Sequence, residues 1–211
     1  MSNTIGRKEV INMILGAVEK VRGNHEILSR LDCAIGDGDH GTTMLRSMKA
    51  VEDAIKSNPD EKIKDLLYKI GWGIMSSDGG STGPLLGSFF IGMSEGVDEE
   101  PELDSSAVSE MLIAGVNKMH KQSRAQVGDK TMMDAMLPAL DALKSADKSA
   151  TISDILNQAA KAASDGSEAT KNMKAKFGRA RNLGDRVLGH KDPGSVSISL
   201  IFQGFHESFT D

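Results

Sequence analysis

Three carboxylates, Asp32, Asp37 and Asp39, fall within eight residues of one another, and His40 follows at once. Like charges this close repel unless a counter-charge offsets them. Gly36, Gly38 and Gly41 leave the backbone around them free to turn tightly. Acids on a glycine-bent loop can converge on a hard divalent cation, which takes oxygen ligands from several directions. Thr42, Thr43, Met44 and Leu45 open a helical pattern directly behind. The acids therefore stand beside a helix N-terminus, whose N–H groups attract anions. A metal next to a helix N-terminus points to a ligand that carries phosphate.

Two other readings of the same stretch fail. Gly36-x-Gly38-x-x-Gly41 satisfies the dinucleotide-binding pattern, but that pattern follows a β-strand, and the preceding residues read as the end of a helix. Asp37-x-Asp39 resembles the start of an EF-hand. Its twelfth position is Met48, which cannot supply the bidentate Glu.

Three more loops join glycine to small polar or charged residues ahead of a helix. In the loop 76–84, Ser81 and Thr82 offer hydroxyls and Pro84 suits a first helical turn. Gly128-Asp129-Lys130-Thr131-Met132 is not a Walker A loop, because the upstream glycine is missing. As plain structure, Lys130 there could be a surface lysine and Thr131 could simply cap the next helix. The last loop runs from Phe177-Gly178-Arg179 to Asp192-Pro193-Gly194-Ser195, and Arg179 has the donor fork that clamps a phosphate. Each of these loops alone is also an ordinary helix connection. No Ser–His–Asp set or Cys–His pair stands out. His25, His120 and His206 read as structural.

The elements that must carry these loops are helical. Apolar residues recur at helical spacing in 8–21, 26–33, 43–55, 63–74, 108–119, 132–146 and 152–163. The segment 85–93 is apolar nearly all round and should be the most buried helix. Ser105 or Ser106 is expected to cap the helix at 108, Pro138 to kink its own, and Gly71 and Gly73 to mark close packing or a ligand. Val97-Asp98-Glu99-Glu100-Pro101 reads as an acidic surface loop. Val196 to Phe202 alternates like a strand, but no partner strand is visible, so a helix is expected there as well. The fold class is all-α: a single domain, 1–211, of about eight antiparallel amphipathic helices. Alternate helix ends share one side of such a bundle, so the four loops can meet at one rim around one nucleotide.

Composition narrows the function classes. With 211 residues and a net charge of −5 there is no basic footprint for nucleic acid. Cys33 is the only cysteine, so no internal disulfide can form. No apolar run approaches the length of a membrane span, and no leader pattern opens the chain. A cytoplasmic protein is expected.

Read together, Gly36-Asp37-Gly38-Asp39-His40-Gly41, Gly79-Gly80-Ser81-Thr82-Gly83-Pro84, Gly128-Asp129-Lys130-Thr131-Met132, Gly178-Arg179-Ala180 and Gly189-His190-Lys191-Asp192-Pro193-Gly194 resemble the L subunits of dihydroxyacetone kinase. The segments occur in family order. The resemblance implies a closed barrel of eight helices with ADP or ATP at one rim. It implies that Asp32, Asp37 and Asp39 bind a pair of Mg²⁺ ions that bridge to the phosphates. His40, Gly41, Thr42 and Thr43 would line the nucleotide site, with Ser81 and Thr82 at the phosphates and Met132 on the base side. Arg179, Asp192, Pro193 and Gly194 would close it. Ser123 stands in the stretch where a relative can have Gly, and Thr43 where a relative can have Asn. No side chain is assigned as a catalytic acid or base. Metal ions and Arg179 would support phosphoryl transfer by charge neutralisation.

The resemblance further implies partners: a K subunit that holds dihydroxyacetone, and a phosphohistidine M subunit of the phosphotransferase system that rephosphorylates ADP in place. The alternatives are an ATP-exchanging subunit for a related ketose such as a tetrulose, and a regulator that binds a transcription factor. A fatty-acid-kinase ATP domain has Pro-Asp-Gly-Asp-Thr-Gly in the acidic loop, and His40 argues against it.

Overall fold

In a computed structural model of the chain, residues 4–78, 80–98 and 102–210 are described. Gly79 of the second glycine loop and Glu99, Glu100 and Pro101 of the acidic loop lie outside the described residues. The described helices are α1 (Arg7–Gly23), α2 (His25–Ile35), α3 (His40–Ser57), α4 (Ile63–Met75), α5 (Thr82–Glu95), α6 (Ser105–Ser123), α7 (Met133–Ser145), α8 (Ile152–Ala169) and α9 (Pro193–Thr210). Two 3-10 segments, Thr170–Asn172 and Arg179–Val187, lie between α8 and α9.

The all-α expectation holds, and Val196 to Phe202 is helical, inside α9. Its alternation reflects a helix buried on most sides, from Ile198 to Phe205. One small antiparallel ladder was not foreseen. β1 (Thr4–Gly6) pairs with β2 (Glu102–Asp104), placing Ile5 opposite Leu103. Both of these side chains are buried, so three residues on each side suffice to pin the chain start to the entry of α6. That entry also corrects the expected cap. The side chain of Asp104, and not Ser105 or Ser106, accepts from Ala107 N at 2.8 Å. A carboxylate suits this place because it also faces the positive end of the helix dipole.

Packing follows chain order. α3 lies on α4, α4 on α5, α5 on α6, α6 on α7, α7 on α8 and α8 on α9. α9 and α3 both lie on α1, while α2 packs on α3 and α9. The expectation for α5 holds: it is buried without a break from Leu86 to Ser94. Gly71 allows α4 to approach it, since a Cβ there would stand 2.7 Å from the Gly87 carbonyl oxygen. Gly73 differs. Its nearest foreign atom would be 3.6 Å away, an ordinary contact. Pro138 lies inside α7. None of the described helices is long and apolar enough to cross a membrane.

Candidate functional site

The acidic loop is the link between α2 and α3. Asp32 stays on the last turn of α2, while Asp37 and Asp39 sit in the link itself. The path between them needs glycine at 38, where φ is +83°. A Cβ there would also strike Cys33 Sγ at 2.5 Å. The result brings one oxygen of each carboxylate within 4.8 Å of the others. Two such charges repel by about 3.5 kcal/mol or more at an effective dielectric of about 20, so the trio needs positive charge. Part comes from α3: the buried Asp32 carboxylate accepts from His40 N at 3.1 Å, at the positive end of the helix. Part comes from Arg179, whose guanidinium pairs with Asp37. The donor set is all oxygen and partly open to solvent, which fits a hard divalent cation that keeps some of its waters.

His40 is buried, and its Nε2 lies 3.1 Å from Ser197 Oγ on α9. Burial holds its pKa below the ordinary imidazole value, against the opposing pull of the Asp32 charge and a backbone hydrogen bond at Pro193. The ring is therefore neutral at neutral pH and adds no counter-charge to the acids. It fixes the start of α3 against α9.

Across the cleft, the loop 126–132 is built around Asp134 and Asp129. The buried Asp134 carboxylate accepts from Gly128 N at 2.6 Å and from Thr131 N at 2.7 Å. Asp129 accepts from Gln126 N at 2.8 Å and pairs with Lys176 at 2.6 Å, which holds its carboxyl below the usual range. Lys130 is not a surface residue. It is 2% exposed, and its Nζ donates to the backbone carbonyls of Thr170 and His190. Its φ is +59°, a left-handed conformation that costs a non-glycine residue about 1–3 kcal/mol. Burial lowers its pKa, and the charges of Asp192 and Asp134 act against that.

Asp192 heads α9 and accepts from Ser195 N at 2.7 Å. Burial pushes its carboxyl up to about 7, and the neighbouring charges of Asp134 and Asp32 push the same way. The Ser195 bond and the Lys130 charge oppose the rise. This group can be protonated near neutral pH, unlike an ordinary carboxylate.

All four glycine loops meet in one cleft of about 480 Å³. Its walls include Asp32, Asp37, Asp39, His40 and Thr43 on one side, Ser81 and Thr82 at the start of α5, and Ser123 at the end of α6. Met132, Arg179, Asp192, Pro193 and Gly194 complete the candidate residues found there. Gly41 and Thr42 are not among the wall residues. Gly41 faces α2, where a Cβ would collide with the His25 carbonyl, and Thr42 is exposed outside the cleft. Sequence reasoning missed Lys130 and Phe177 as wall residues and Asp134 as the support of the loop. The Asp134 signal was present, since an acid three residues after Thr131 can bond back to that residue's N–H. A buried Lys130 had no such signal.

Comparison with known proteins adds the following. The DAK2 domain family model matches residues 34–207. The ADP-binding subunit DhaL of PEP-dependent dihydroxyacetone kinase 1 from Listeria innocua is 36% identical, over 87% of each chain. The corresponding subunit of Escherichia coli is 31% identical, over 95% of this chain and 96% of its own. Among solved structures, the dihydroxyacetone kinase from C. freundii in complex with AMP-PNP and Mg²⁺ superposes with a TM-score of 0.72 at 26% identity. The match covers 97% of this chain and 34% of that one, so the chain spans about a third of the solved kinase.

Proposed function

The chain belongs to the DAK2 domain family, and on that footing we propose that it is the ADP-binding subunit of a PEP-dependent dihydroxyacetone kinase. The observation that carries the reading is the acidic trio, with oxygens within 4.8 Å of one another, in a cleft that also gathers the starts of α3, α5 and α9. Helix starts present N–H groups to an anion. Oxygen donors beside them suit a nucleotide carried as its Mg²⁺ complex. The helix neighbours, running from α1 through α3 to α9 and back to α1, support a closed barrel with this cleft at one rim.

In this reading Asp32, Asp37 and Asp39 hold a pair of Mg²⁺ ions, which neutralise phosphate charge when bound. Ser81 and Thr82 bring hydroxyls and the start of α5 to the phosphates. Thr43 and Ser123 line the same space, with Met132 on the base side and Asp192, Pro193 and Gly194 closing it. Arg179 lies where it can exchange its bond to Asp37 for one to phosphate, in the manner of charge stabilisation during phosphoryl transfer. His40 holds the start of α3 in place and stays uncharged. The γ-phosphoryl group passes to dihydroxyacetone held by a K subunit, and a phosphohistidine M subunit restores ATP from ADP in place.

The test is direct. Protein purified without added nucleotide is denatured, and the supernatant is analysed by mass spectrometry for ADP. It is then mixed with a K subunit, an M subunit, phosphoenolpyruvate and the general phosphotransferase proteins. Bound ADP and formation of dihydroxyacetone phosphate are expected. Readily lost ADP, with turnover on free ATP alone, overturns the coenzyme role.

A further inference from the structure

Lys130 is the residue that phosphate and metal binding leave without a task. It is almost wholly buried, and its backbone lies in the left-handed region. Both conditions oppose folding, so the surroundings must impose them. Those surroundings have a definite layout. The chain leaves the end of α8, runs out as an arm over 171–189, and returns ahead of α9. The two carbonyls that accept from Lys130 Nζ, those of Thr170 and His190, flank this arm. Two other bonds close the same neck. Gly189 N donates to the Lys171 carbonyl at 2.8 Å, and Asp192 N donates to Thr170 Oγ1 at 2.9 Å.

What the neck controls lies in the cleft. The arm carries Arg179 across to Asp37. The chain leaving the neck forms the wall at Asp192, Pro193 and Gly194. The chain leaving Lys130 itself forms the wall at Met132. A Cβ on Gly194 would lie 3.3 Å from Met132 Cβ, so the two walls touch. A lysine serving only to balance buried charge would need one neighbouring segment. Lys130 instead donates to carbonyls at both ends of the arm while standing on a third segment.

We propose that Lys130 is a positioning residue, whose ammonium staples the two ends of the arm 171–189 and thereby fixes where Arg179 reaches the acids and how Met132 and Gly194 face the nucleotide. The inference rests on the nucleotide-binding reading above and adds to it a residue whose ammonium is engaged by backbone carbonyls.

The experiment compares the full chain with Lys130→Met, which keeps length and removes charge, and Lys130→Arg, which keeps charge and donors. Amide hydrogen exchange is followed by mass spectrometry without nucleotide, and Mg-ADP affinity by calorimetry. In Lys130→Met the arm amides should exchange about ten-fold faster or more, with α4 and α5 unchanged, and Mg-ADP should bind about ten-fold more weakly or worse. Lys130→Arg should recover most of both. A folded Lys130→Met with an unaltered arm and affinity overturns the proposal. Faster exchange spread evenly over all helices, or failure of both variants to fold, overturns it as well, since Lys130 is then simply structural. A wild-type chain that takes up no Mg-ADP overturns the nucleotide reading and this positioning role with it. The exchange arm needs no ligand and still decides whether the staple exists.

Discussion

The two sides of the cleft solve the problem of buried charge in opposite ways. On the side of Lys130 the charges are settled from within. Asp134 and Asp129 accept from backbone N–H groups, and Lys130 donates to backbone carbonyls. On the side of the acidic loop, three carboxylates share one small space, with one backbone N–H and one arginine set against them among the described residues. Among the described residues no buried side-chain nitrogen or oxygen lacks a partner. The surplus charge therefore sits where solvent still reaches. One side is finished as a scaffold, and the other is left short of positive charge, which an incoming cation would supply.

If that contrast is right, the largest effect belongs to the acids. Asp37→Ala should abolish Mg²⁺-dependent nucleotide retention, a loss of about 100-fold or more in affinity, while helical circular dichroism persists. Unchanged occupancy by mass spectrometry would refute the role given to Asp37. Next comes the scaffold. Asp134→Ala leaves Gly128 N and Thr131 N without their acceptor. It should lower stability by about 2–4 kcal/mol, read from the urea midpoint. A variant that loses nucleotide but no stability would break the division between the two sides.

The third test uses pH. The Asp192 carboxyl titrates near 7 in the folded chain, above its ordinary value. A group raised in this way favours the folded state most when protonated, below its unfolded pKa. That contribution is lost as pH rises toward 7. Nucleotide- and metal-free wild type should therefore lose stability relative to Asp192→Asn between about pH 4 and 7, with a slope no steeper than about 1.4 kcal/mol per pH unit. Parallel stability curves for the two proteins would exclude the shift. The smallest effect tests packing far from the charges. Gly73→Ala meets only ordinary contacts and should stabilise α4 by about 0.5–1 kcal/mol in thermal unfolding, with nucleotide affinity unchanged. A destabilised variant would show that α4 is packed more tightly than the 3.6 Å clearance implies.

Much of this was legible in the chain because glycine and aspartate leave local signatures. Asp32, Asp37 and Asp39 stand close in sequence and close in space. The helical stripes were readable because apolar periodicity reports burial directly. What escaped depended on distant partners. Lys130 is buried by carbonyls about forty and sixty residues further on, which no local pattern announces. Gly41 resembled a loop glycine, yet it answers to the backbone of α2. The ladder between Ile5 and Leu103 spans too few residues for alternation to show. Asp104 capped a helix one residue before the serines that matched the usual signature.

The bond between Arg179 and Asp37 has one further consequence. Both side chains stay open to water, at 70% and 37% exposure, so the pair is worth no more than about 1 kcal/mol. A tether that weak restrains the arm without locking it, and any divalent ion gripping Asp37 competes for the same oxygen. Were a cation to load the acids, it would free the guanidinium in the same event, so that the arrival of cargo would arm the hand proposed to hold it.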